Sequence, residues 1–252
     1  MLQLHAAVVA RLVPVALGPS ALALMTAYAH AVCGGRMSVL HVSPNVIQPR
    51  DLDGVPGHGL NALTEASREV DGISLVVLEG ANRCPLEASV VPILQLSDVT
   101  STRISSTPSA RLGATLVAGA TTVPVSSQLW SHAVAVYPEP TLVTPHIESP
   151  AGDLSLSSEL LAAGEIPVDE VDSILDKWPD CRDLRPALAR FGAGLSRFYT
   201  GERIGEALLH GLILPYVLTA LSGDEQENAL NNAGPLGDAV VAGLRRLRAR
   251  IC

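Results

Sequence analysis

Aromatic side chains are scarce in this chain: Phe, Tyr and Trp together make up 3% of its 252 residues. A core without large rings has to be filled by Val, Leu, Ile and Ala, and such a core suits parallel strands covered by helices better than an aromatic-rich sandwich. Cysteine is thin too. Cys33, Cys84, Cys181 and Cys252 show no C-x-x-C pairing and no zinc-like spacing, which argues for unpaired thiols in a reducing compartment, the cytoplasm, over a disulfide scaffold. The seven histidines are scattered and no H-E-x-x-H occurs; His58 in "PGHGL" reads as a turn residue, so no metal site is expected. Cations are outnumbered, 17 Lys and Arg against 25 Asp and Glu, for a formal charge of −8. That balance argues against a general nucleic-acid surface. One local exception, "LRRLRAR", places Arg245, Arg246, Arg248 and Arg250 in a predicted last helix. There they either complement the helix dipole on a solvated face or meet a partner or phosphate.

Apolar residues make up 48% of the chain, enough for one large domain, or one domain plus a small one, with a substantial core. From Ala6 to Cys33 they dominate, which raises a signal peptide or a membrane span, and "AYAHA" offers small residues for a cleavage site. Against export, "LGPS" at Leu17 to Ser20 splits the segment into a β-like run, "ARLVPVAL", and a helix-like run closed by glycines. Strand, tight turn and helix in that order open a phosphate-binding α/β unit. "MSVLHVS", "GISLVVLE", "GATLVAGATT" and "HAVAVYPE" read as further strands. "GLNALTEASREV" reads as a helix and "CPLEASVVPILQLSD" as a helix bent at Pro92. The alternation predicts a mostly parallel sheet with ligands at the carboxyl ends of its strands.

Around "SPAGDLSLSS" the pattern turns helical, through "SSELLAAG", "VDEVDSILDKW", "LRPALARFGAGLSRFY", "IGEALLHGLILPYVLTAL" and "PLGDAVVAGLRRLRA". The expected organisation is therefore an α/β domain over residues 1–150 and a helical domain over 151–252. "SDVTSTRISSTPSA" reads as a polar loop.

Several of these segments resemble MoxR/McrB-like AAA+ ATPases. "VSPNVIQPRDLDG" looks like the stretch after that family's second strand. "LVVLEGANRCP" is similar to its Walker B region, which usually ends Asp-Glu-x-Asn-Arg-x-Pro. "GATLVAGATT" resembles the strand carrying sensor 1, and "VSSQLWSHAVAV" the segment after it. The resemblance implies a three-layer, P-loop NTPase-like sheet followed by a helical lid. A P-loop works because backbone N–H groups wrap the phosphates, a lysine neutralises them and a hydroxyl holds Mg²⁺.

In that frame Gly18 is retained, with Pro19 and Ser20 after it, while Ala23 replaces the second glycine, Leu24 the lysine and Met25 the hydroxyl. Thr26 is a poor substitute, since one residue rotates a side chain about 100° around a helix. The chain's one lysine, Lys177, falls in the implied lid, which leaves only Arg11 or Arg36 as conceivable replacements. Glu79 stands where the Mg²⁺-linked Asp belongs and Gly80 where the water-polarising carboxylate belongs. The sensor 1 position falls near Thr121 or Thr122. His132 stands in the arginine-finger position and brings less charge than a guanidinium. Asn82 and Arg83 survive; either they mark a subunit interface, or they are a helix-capping Asn and a solvated Arg. Asp51 and Gly54 likewise read either as part of the family-like segment or as simple turn formers.

Loss of the base, the lysine and the Mg²⁺ hydroxyl removes most of what phosphoryl transfer depends on, so the reading leans away from an enzyme. Three alternatives stand. The chain is a non-hydrolysing AAA+-like scaffold, in a homo- or hetero-oligomer with no cofactor. Or it binds ATP or ADP weakly through backbone amides at the Gly18 to Ser20 turn and the helix start after it, and hydrolyses it slowly or only with a partner. Or it is exported or membrane-anchored, with its first 33 residues as a targeting segment.

Overall fold

A computed structural model of the chain describes residues 1–46, 73–85, 110–117, 125–137 and 163–220. Five strands form one sheet: β1 (Val13–Leu17), β2 (Met37–His41), β3 (Ser74–Glu79), β4 (Ala110–Leu116) and β5 (Ala133–Val136). Every pairing is parallel and the order is β2-β3-β4-β1-β5. The fold is α/β, as the scarcity of aromatics and the alternating pattern led one to expect.

All five residues of β1 are buried, because the strand has a neighbour on each edge and helices pack over the sheet. Pro14 is tolerated in this central strand for a local reason. The Val13 amide donates toward β5, to the His132 carbonyl at 2.8 Å, so the position after it faces β4, and the β1–β4 ladder begins only at Val15 opposite Ala114. The missing amide therefore falls just before that ladder begins.

Two helices flank β1 in sequence, α1 (Leu2–Val9) and α2 (Ala21–Val32). The pattern of "LQLHAAVV" does not reveal α1, because Leu4 and Ala6 through Val9 are all buried and a helix covered on most sides has no amphipathic period to read. The His5 imidazole and the Tyr28 hydroxyl tie α1 to α2 at 3.0 Å. Residues 1–33 therefore build the middle of the sheet and its cover, and cleavage in "AYAHA" would remove β1. Among the described residues no helix is long and apolar enough to cross a membrane.

The helical segment comprises α3 (Val168–Lys177), α4 (Arg185–Leu195), α5 (Glu202–Leu208) and α6 (Leu214–Ala220). A π-helical turn at Leu209–Ile213 joins the last two, where the sequence suggests a single helix. Pro215 explains the break: it lacks an amide, and a wider turn ahead of it accommodates the ring. These helices share one continuous hydrophobic core with the sheet. Trp130, in the short turn Ser127–Ser131 before β5, donates from its indole to Thr219 on α6 at 3.1 Å. Arg190 on α4 reaches the Ser131 carbonyl at 3.4 Å. The boundary expected at residue 150, the helices expected in "GLNALTEASREV", "CPLEASVVPILQLSD" and "PLGDAVVAGLRRLRA", and Asp51, Gly54, His58 and Thr121 lie outside the described residues.

Where α4 crosses α1, a Cβ added to Gly194 would stand 2.5 Å from the Ala6 carbonyl oxygen. Gly194→Ala is expected to destabilise the chain by about 1–3 kcal/mol, as overpacking does. On helix propensity alone the same change would stabilise by about 1 kcal/mol, so the sign of the urea-denaturation shift decides whether this crossing is as tight as described.

His210 sits in the π turn, where burial lowers its pKa below the ordinary imidazole value and Glu206 offsets part of that. The unfolded chain then takes up the proton more readily than the folded one. Stability from this group is complete above the ordinary value of about 6.5 and is lost as pH falls through it toward the folded value. Urea midpoints should drop between pH 7 and 5, and His210→Gln should flatten that slope; an unchanged slope contradicts the assignment.

Candidate functional site

In the order β2-β3-β4-β1-β5 the chain leaves β1 toward β2, past β4 and β3, but leaves β4 toward β5, on the far side of β1. The direction of connection reverses between these adjacent strands, and the crevice outside their carboxyl ends is where open parallel sheets bind ligands. Four features meet at this edge: the turn after β1, the ends of β3 and β4, and the last residue of β2.

The turn after β1 is short. Gly18 holds a φ of +104°, Pro19 is exposed, and the Ala21 amide already donates to the Gly18 carbonyl at 3.1 Å. Ala, Leu and Met are strong helix formers, and they carry α2 back to Ala21. Gly18, Pro19 and Ser20 thus stand at the crevice, whereas Leu24 and Met25 are 2% and 0% exposed, packed into the core. Ala23 lies half-buried within the first turn of α2. Only three residues join β1 to α2, too few to form a loop that wraps phosphates. Ser20 makes no side-chain cap bond to α2, and the first-turn amides of Leu22 and Ala23 have no intrahelical acceptor.

The end of β3 is fixed by buried polar bonds. Gly80 adopts a left-handed conformation, φ +67°, and its amide donates to the Thr115 hydroxyl at 3.2 Å. Asn82 is 1% exposed. Its side-chain amide donates to the Val117 carbonyl at 2.8 Å and its carbonyl accepts from the Val117 amide at 2.9 Å. That exchange extends the β3–β4 pairing one step past the strands. Asn82 is therefore an internal clasp, and it does not cap the short helix, whose cap position is Gly80. Thr115, the other buried polar residue of this edge, was not singled out by sequence; its signal was a threonine inside the apolar run "GATLV".

Arg83 is exposed and lies over Gly80, where an added Cβ would come within 3.0 Å of its Nε. A carboxylate at position 80 would meet both that guanidinium and the cost of a left-handed backbone, about 1–2 kcal/mol for a residue with a side chain. Glu79 is opposite His41 in the β2–β3 register, and its Oε2 contacts the His41 Nδ1. β4 already ends at Leu116, five residues before Thr121.

The remaining expected residues lie elsewhere. Arg11 precedes β1 and Arg36 precedes β2, so both are at the amino edge. Arg36 donates there to the Ile73 carbonyl at 3.4 Å. His132 is also at the amino edge, its amide bonded to the Leu129 carbonyl at 3.0 Å. With Val13 opposite Ala133, six residues of strand rise separate it from the level of Gly18, roughly 20 Å. None of the three reaches the crevice of its own chain. Lys177 ends α3, beside a separate cleft of about 430 Å³ lined by Asp172, Leu175, Asp176, Arg182 and Arg185, where Arg185 and Asp172 pair at 2.7 Å.

No family model matches the chain, and no curated protein matches it significantly. Among the described residues no group of three or more His, Cys, Asp or Glu is placed to hold a metal ion.

Because Asn82 answers both polar groups of Val117, Asn82→Ala is expected to cost about 2 kcal/mol or more in urea denaturation. Asn82→Asp should cost no less, since it sets a carboxylate against the Val117 carbonyl. A loss under 0.5 kcal/mol, a value on the order of ordinary surface changes, would show that the clasp is dispensable.

Proposed function

We propose that the chain is a degenerate AAA+-like domain that does not hydrolyse nucleotide and serves as an interaction module in a homo- or hetero-oligomer. One observation carries this reading. At the strand end where a P-loop domain concentrates charge, the positions of the lysine and the Mg²⁺ hydroxyl are Leu24 and Met25, both enclosed in the core. The position of the catalytic base is a left-handed glycine lying under Arg83. Glu79 is the one acid there among the described residues, and it is engaged by His41. Phosphoryl transfer needs positioning and concentrated positive charge, and this edge offers little of either.

The parallel sheet and its connection reversal at β1 support the P-loop-like part of the reading, and the three-layer arrangement with a helical lid belongs to the same proposal. The uncapped start of α2 favours a second reading, weak ATP or ADP binding through backbone amides. Arg83, exposed beside the crevice, and His132, roughly 20 Å away at the opposite edge, would then serve contacts between subunits.

The purified chain with ATP and Mg²⁺ is expected to release inorganic phosphate no faster than buffer, while sedimentation reports its state of assembly. Sustained metal-dependent release would sink the proposal, and a strict monomer at every concentration would restrict the assembly to a different partner chain.

A further inference from the structure

The His41 and Glu79 contact joins residues 38 positions apart, and sequence spacing gave no hint of it. Parallel register sets them side by side at the ends of β2 and β3, Nδ1 of the imidazole against Oε2 of the carboxylate. Both backbones are anchored. The Val42 amide donates to the Glu79 carbonyl at 2.9 Å, and the next residue after Glu79 is held by Thr115. Their side chains nevertheless face solvent, at 72% and 28% exposure.

We infer that His41 and Glu79 form an open, two-ligand site for a borderline divalent cation such as Zn²⁺ or Ni²⁺, water completing the coordination. Imidazole nitrogen paired with a carboxylate oxygen suits these ions, whereas Mg²⁺ prefers an all-oxygen shell and sheds water reluctantly. The cation takes its place between the imidazole nitrogen and the carboxylate oxygen that here touch each other. Fixed strand ends hold the ligands within reach of one ion, and the exposed ring turns without disturbing the core. The inference does not rest on nucleotide binding: in the sheet, β4 stands between β1 with its turn and the β2–β3 pair that carries both ligands.

Calorimetric titration of the tag-free chain with Zn²⁺ alone tests it. The wild-type chain should bind one equivalent that His41→Ala and Glu79→Gln each weaken tenfold or more, and excess Mg²⁺ should not compete. Circular dichroism confirms that the variants are folded. Equal Zn²⁺ affinity in wild type and both variants, absence of binding by the wild type, or displacement by Mg²⁺ would each overturn the assignment.

Discussion

Burial of Leu24 and Met25 beneath the sheet is the constraint on which the carboxyl edge depends. Once these side chains pack into the core, α2 must begin at Ala21 and only three residues remain to turn the chain out of β1. A loop of three cannot wrap a triphosphate, and an apolar pair cannot neutralise one. Replacing Leu24 by lysine would bury a cation in apolar surroundings before it met any phosphate, a cost that a lysine resists by giving up its charge.

The neighbouring strand end is stabilised by different means. Gly80 bonds to Thr115 and Asn82 bonds twice to Val117, which ties the chain leaving β3 to the end of β4. These bonds keep buried backbone groups satisfied where the ladder stops. The "ANR" segment, which resembles a Walker B ending, thus has a structural use of its own. Glu79 and His41 sit just outside this network, rigid at the backbone and accessible at the side chain.

Much of the sheet was legible in the sequence. Runs such as "SLVVLE" and "HAVAV" carry β-branched and apolar residues between turn formers, and each became a strand. β4 is longer toward its start than "GATLV" suggests, since Ala110 and Arg111 pair with β3 before the apolar run begins. α1 was not legible, for want of a polar face. The site was less legible than the fold. The family resemblance set Leu24 and Met25 in a phosphate-loop frame, and in the structure both lie within α2 with their side chains in the core. Nor does linear order show that His41 meets Glu79, or that Arg11, Arg36 and His132 lie at the opposite edge. Those relations are properties of strand register.

The central claim, that the end of β1 lacks the charge to hold a metal-bound triphosphate, is tested most directly by titrating a fluorescent ATP analogue into the wild-type chain with and without Mg²⁺. The account predicts binding that is weak or undetectable and indifferent to the metal. Micromolar affinity that Mg²⁺ strengthens would contradict it.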